Sequence, residues 1–380
     1  MKNEHLYKKN CIFAGMKPYL VDIPVLILFF NRPLQLSQVF AEVQKARPSR
    51  LFLYQDGPRS EADMPGILAC REVVEQIDWE CRVEKLYQEK NYGCDPSNYF
   101  SHKWAFSKVD KCVVLEDDSV PAVSFFAFCK EMLDRYEHDE RVTMVCGFNI
   151  EEQTPDVEGD YFFTTNFSIW GWASWRRVVD QWDEHYTWLD DPVAVRQLEE
   201  LIHERGYRDD FMPMCRQHRE HARQGRPYYE TIFWSHMLLS NGLAIVPRRN
   251  MINNLGATAD STHFGGSLET MPKGYRRIFT MKRYELKTPS YSSLRGGDSD
   301  QEASTLRGGV EGSLAHPPFV VEHVAYRHRA YRIMGWMSPM TKIARSIEEL
   351  WLNLRYGNFK YIFKSIRNRI NKWLGKEVYR

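Results

Sequence analysis

Three carboxylates stand side by side, Glu116-Asp117-Asp118, directly after the apolar run Cys112-Val-Val-Leu115. Adjacent carboxylates repel, and a site that keeps them together needs a cation or solvent to compensate. A hard divalent cation, Mg2+ or Mn2+, takes one or two carboxylates and completes its shell with water and phosphate oxygens. The same triplet could instead be a solvated turn whose Asp caps the helix expected after Pro121. Glu230 sits in Arg226-Pro-Tyr-Tyr-Glu-Thr-Ile-Phe-Trp234, among aromatics that would partly desolvate it and raise its pKa toward neutrality, as a general base requires. A surface carboxylate at a helix start is the alternative. Trp170-Gly171-Trp172 places two indoles around a glycine, which suits a flat sugar face approached closely by backbone, or else simple core packing. His263 could reach a metal or a diphosphate from a loop. Twelve histidines without an HxH or HExxH spacing, and eight cysteines without a CxxC pair, argue against zinc.

The elements that must position these residues follow from periodicity. Val25-Leu-Ile-Leu-Phe-Phe30 is a continuous apolar run of the kind buried on both faces of a sheet. It stops at Asn31-Arg32-Pro33, and Leu36, Val39, Phe40 and Val43 then recur at helical spacing. Further strands are expected at 51–54, 82–87, 112–115 and 142–146, with helices around 72–77, 96–106 and 125–136. Alternation of this kind predicts an α/β fold, a mostly parallel sheet with helices on both faces. In open α/β sheets ligands bind at the carboxyl ends of strands. Three such ends are polar here: Asn31-Arg32, Gln55-Asp56 and Glu116-Asp117-Asp118.

The segment Val113-Val-Leu-Glu-Asp-Asp-Ser-Val-Pro121, followed by Phe125-Phe126, resembles the metal-binding segment of GT-A nucleotide-sugar glycosyltransferases, in particular bacterial enzymes related to N-acetylglucosaminyltransferase I. The opening Pro24–Pro33, Gln55-Asp-Gly57, Asn91-Tyr-Gly-Cys94, Ile169–Trp175, Tyr229-Glu230, Asn253-Asn-Leu-Gly256 with Thr262-His263, and His316-Pro317 fall in the order of that family. The resemblance implies a GT-A (Rossmann-like) fold and metal-dependent transfer of a sugar from a UDP-sugar donor to a saccharide or lipid-linked glycan. It further implies inversion by single displacement, in bacterial surface polysaccharide synthesis. It matches Asp118 to the metal-holding position, Glu116 and Asp117 to positions facing the ribose, and Asp56 to a carboxylate that accepts from uracil. Arg32 lies where a cation could meet the diphosphate, with Asn31 beside it. Glu230 stands where the family has Asp. Relatives often carry a basic residue after the Gly-Cys pair, but Asp95 follows here; Lys103 or His102 on the next helix would have to supply that charge.

Composition narrows the alternatives. Of 380 residues, 51 Lys/Arg face 50 Asp/Glu, a net charge of +1, which excludes a basic nucleic-acid coat. The balance hides a gradient: residues 341–380 hold ten Lys/Arg and three Glu, a net +7, which leaves −6 for the rest. That tail reads as two helices. In the second, Phe359, Ile362, Phe363, Ile366, Ile370, Trp373 and Leu374 share one arc bordered by Lys360, Arg367, Arg369 and Lys376, a pattern suited to an anionic membrane surface. Packing on the acidic body is the alternative. The chain is thus expected to comprise an extension (1–21), a nucleotide-sugar half (22–147), a mixed acceptor half (148–285), a Gly/Ser-rich mobile loop (286–318) and a basic helical tail (319–380). No secretory signal is visible, and a cytoplasmic protein peripheral on the inner membrane face is expected. Two rival readings are weaker. A sugar-phosphate nucleotidyltransferase wants a Gly-rich basic loop after the first strand, which Asn31-Arg-Pro-Leu-Gln35 lacks. A membrane-active scaffold has no use for the acidic clusters.

Overall fold

The structure, a computed structural model, describes residues 16–257, 268–286 and 313–373. Strand β1 (Val21–Phe29) is the apolar run extended at its start, and Val25 to Phe29 are all buried. Having no polar side chain to present to water there, it lies inside the sheet, parallel to β2 (Pro48–Gln55) on one side and to β4 (Lys111–Glu116) on the other. Beyond β2 lies β3 (Arg82–Tyr87), also parallel. The remaining strands are β5 (Ser119–Pro121), β6 (Val142–Cys146), β7 (Tyr161–Thr164), β8 (Trp172–Trp175), β9 (Leu243–Pro247) and β10 (Ile252–Asn254). Eight strands form one mixed sheet in the order β3-β2-β1-β4-β8-β6-β9-β7, while β5 and β10 form a separate two-stranded ribbon.

The expected α/β class is therefore present. The expected second half, however, feeds β7, β8 and β9 into the same sheet, with β8 antiparallel between β4 and β6.

Pro33 at the first position of α1 (Pro33–Ala46) starts that helix as soon as β1 ends. Next come α2 (Met64–Val74), α3 (Cys94–Phe106) and α4 (Val123–Arg135). Helix α2 begins earlier than the expected 72–77, because a 3-10 turn at Glu61–Asp63 and Pro65 set its start. Helices α3 and α4 both pack on β1 and β4, but α4 neighbours α1 whereas α3 neighbours α5 (Arg176–Val179) and α8 (Tyr229–Leu239). Between α5 and α8 lie α6 (Pro192–Leu201) and α7 (Arg205–Arg223). The chain continues through α9 (Lys273–Arg277), α10 (Val324–Met334), α11 (Pro339–Arg355) and α12 (Phe359–Trp373). Cys112, Cys129 and Cys146 are fully buried and unpaired, serving as small hydrophobes. Most of the expected mobile loop, residues 287–312, lies outside the described residues, as do Leu374 and Lys376 of the tail.

Candidate active site

Strand β1 is flanked by β2 and β4, so the strand order reverses beside it, and in open α/β sheets the carboxyl ends of the strands at such a reversal are where ligands bind. The register pairs Leu28 with Glu116, which brings the Asn31-Arg32 end of β1 against the acidic triplet. Arg32 donates through Nε to Asp117 Oδ2 at 3.2 Å, through Nη2 to Asp117 Oδ1, and through Nη2 to Asp118 Oδ2 at 2.9 Å. Asp117 and Asp118 are buried, while the Arg32 side chain keeps 23% exposure.

Burial dominates the electrostatics of this cluster. Desolvation, with Asp118, Asp117 and Glu230 adding to it, pushes the Glu116 carboxyl well above the usual range. At Asp117 burial again raises the pKa, and the Arg32 charge only partly offsets it. Burial alone would lower the Arg32 pKa, but the two aspartates outweigh it and raise it. The cluster is short of positive charge.

Asp118 is held from a second side. Ribbon β5–β10 pairs Ser119 with Asn254, Leu255 N–H donates to Asp118 O at 2.8 Å, and Asn254 Nδ2 approaches Asp118 Oδ1 at 3.5 Å. A Cβ on Gly256 would lie 2.6 Å from Asp118 Oδ2, so only glycine leaves that oxygen its space. The capping role open to the triplet belongs elsewhere: Glu285 accepts from Val123 N at 3.1 Å and Ser124 N at 2.8 Å at the start of α4. Among the described residues no group of three or more His, Cys, Asp or Glu side chains is placed to hold a metal ion. The Asp118 carboxylate, with Glu116 nearby, offers the one or two carboxylates that Mg2+ or Mn2+ accepts when other oxygens complete its shell.

Glu230 lies in the first turn of α8, half-buried, and its charge acts on both the Glu116 carboxyl and the Cys94 thiol. Cys94 opens α3 beside this cluster. Its residue surface is exposed, yet protein surrounds the sulfur, and desolvation plus Glu116, Asp95, Glu230 and Asp118 push its pKa well up. The structure thus brings Arg32, Glu116, Asp117, Asp118 and Glu230 together at the carboxyl ends of β1 and β4.

Other expected site residues sit differently. Asp56 accepts four hydrogen bonds of 2.9–3.0 Å, from Gly57 N and Tyr92 N at Oδ1 and from Asn91 Nδ2 and Gly93 N at Oδ2. A carboxylate has about four acceptor sites, so none remains for a uracil N–H. Asp56 anchors the 91–93 turn instead. Asn31 donates to Asp63 at 2.8 Å, on the side of α2. Lys103 Nζ is bound to Val179 O at 2.8 Å, away from the triplet. His102 is fully buried among Trp172, Trp182 and Tyr229, and desolvation lowers its pKa to about 3. Neither residue supplies the expected cation. Trp172, 1% exposed, is a core side chain stacked on Phe106, and Gly171, at φ +65°, gives way to the Ile252 side chain, 2.5 Å from where a Cβ would be. Only Trp170 keeps a partly exposed indole, resting on Phe148 and Phe279. His263 lies outside the described residues.

Sequence reasoning assigned no role to Asn254, Gly256 or Glu285. The Asn-Asn-Leu-Gly turn was a visible signal, but its contact with Asp118 spans 136 residues. No family model matches the chain, and no curated protein matches it.

Proposed function

We propose that the protein is a metal-dependent GT-A-type glycosyltransferase that moves a sugar from a UDP-sugar to a saccharide or lipid-linked glycan, as in bacterial surface polysaccharide synthesis at the inner face of the cell membrane. The observation that carries this reading is the convergence of Arg32, the acidic triplet and Glu230 at the carboxyl ends of β1 and β4, where the strand order reverses.

In this reading Asp118, with Glu116 close by, holds Mg2+ or Mn2+. When bound, the cation supplies positive charge to the diphosphate as it leaves. Arg32 keeps Asp117 and Asp118 oriented and directs its exposed edge at the same phosphate oxygens. Gly256 and Asn254 fix the Asp118 carboxylate from the opposite side. Glu230, at the start of a helix packed against α3, takes the proton from the acceptor hydroxyl. The hydroxyl oxygen then forms the new bond to the anomeric carbon, the bond from that carbon to the diphosphate oxygen breaks, and UDP departs. A single in-line displacement of this kind inverts the anomeric centre. Trp170 offers the half-exposed indole for a sugar ring.

A screen of UDP-sugars for hydrolysis and transfer, with Mn2+ and with chelator, tests the reading. Metal-stimulated release of UDP from one donor is expected. Absence of both binding and release for every UDP-sugar would overturn it.

A further inference from the structure

Helix α11 docks on the body by its polar side. Lys342 pairs with Asp210, Arg345 donates to the Met334 carbonyl and covers the Tyr275 ring, and Glu348 accepts from Lys273 N at 2.9 Å. Asn353, 2% exposed, donates to the Thr270 carbonyl of the body at 3.4 Å as well as to Glu349 O of its own helix at 2.8 Å. The opposite face carries Met340, Ile343, Ile347, Leu350, Trp351 and Leu354, each 48–73% exposed. These recur at spacings of three and four, the stripe that an ordinary surface helix turns toward the core. Helix α12 folds back after Gly357, at φ +69°, with Asn358 bonded to Asn353 and Tyr361 to Glu349. It buries Ile362 but leaves Phe359, Phe363, Ile366 and Ile370 48–70% exposed. Ten large apolar side chains on two adjacent helices exceed what a soluble surface normally shows.

Charge says what covers them. Exposed Lys360, Lys364 and Arg367 are interspersed with the apolar positions of α12, and residues 341–380 carry a net +7. A second copy laid face to face would oppose two such cationic segments. The chain's own 287–312 stretch offers only Tyr291, Leu294, Leu306 and Val310 as large apolar residues. An anionic bilayer surface satisfies both properties, with the apolar stripe at the acyl boundary and the cations among the head groups. Among the described residues no helix is long and apolar enough to cross a membrane. We propose that α11 and α12 together form a platform lying in the plane of an anionic membrane, with the polar side of α11 bolting the body to it. This is independent of the sugar-transfer reading.

The test is flotation of the full-length protein with phosphatidylcholine vesicles, with and without about one-third phosphatidylglycerol. Binding is expected only to the anionic vesicles, weaker at high salt. Each of Lys360→Gln and Lys364→Gln should weaken it about fivefold. Ile347→Glu combined with Phe363→Glu should abolish binding while the melting temperature holds, because both side chains point to solvent. Failure of the wild type to float with anionic vesicles would overturn the proposal. So would undiminished flotation of the double variant, or a dimer in sedimentation that the double variant dissociates without any vesicle binding.

Discussion

His102 offers a measurement that depends on burial alone. Its ring is fully buried, edge-on to Tyr229 at 4.6 Å and Trp172 at 5.1 Å, and neither nitrogen has a hydrogen-bond partner among the described residues. Desolvation lowers its pKa to about 3, against about 6.5 in the unfolded chain. Below about pH 6.5 the unfolded chain therefore binds a proton that the folded protein refuses, and stability falls with pH until about pH 3, where both states are protonated. Between pH 7 and pH 5 the loss from this one residue is about 2 kcal/mol. His102→Phe fills an aromatic site with a ring that cannot titrate. Every other ionisable group is common to both proteins, so the difference in their urea-unfolding free energies isolates His102. That difference should move by about 2 kcal/mol in favour of the variant between pH 7 and pH 5. Parallel pH profiles for the two proteins would show that His102 titrates in the fold as it does in the unfolded chain, and would refute the reasoning.

Three further outcomes follow from the site. Arg32→Gln leaves Asp117 and Asp118 buried without their counter-charge and should cost about 3 kcal/mol; added Mn2+ should raise the melting temperature of this variant more than that of wild type. Glu230→Gln keeps shape but cannot accept a proton, so turnover should fall about 10²–10⁴-fold with donor affinity unchanged in titration calorimetry. Asp56→Ala strands the four donors that now converge on it, so it should cost about 2–4 kcal/mol in urea unfolding and speed hydrogen exchange at Tyr92 and Gly93.

The parallel core was readable because its strands are continuous apolar runs broken by Asn-Arg-Pro, Gln-Asp-Gly-Pro and Glu-Asp-Asp, so composition alone marks where each strand ends. Which strand ends meet depends on sheet order, and that is a long-range property. Asp56 and Asp118 look alike as acidic residues at strand ends, yet the donors that saturate Asp56 come from residues 57 and 91–93, and Asp118 is held from residues 254–256. The Trp170-Gly-Trp172 pattern misleads for a related reason. Trp172 opens β8, which is paired on both sides by β4 and β6, so its indole enters the core while Trp170 stays outside the strand. The resemblance asks for a basic residue near Asp95 and offers His102 or Lys103, whereas helix α3 turns one into the core and the other toward Val179. In the tail the apolar arc of α12 was legible from its period. The outward face of α11 was not, because only the tertiary partners of Lys342, Glu348 and Asn353 decide which side docks.

The central claim is that Asp118 holds a divalent cation which joins a UDP-sugar to this cluster. Calorimetric titration of UDP-sugar into the wild type and Asp118→Ala, each with Mn2+ and with chelator, tests it most directly. The account predicts Mn2+-dependent binding by the wild type and its loss in Asp118→Ala, with circular dichroism unchanged. Binding by Asp118→Ala with the wild-type affinity and the wild-type dependence on Mn2+ would contradict it.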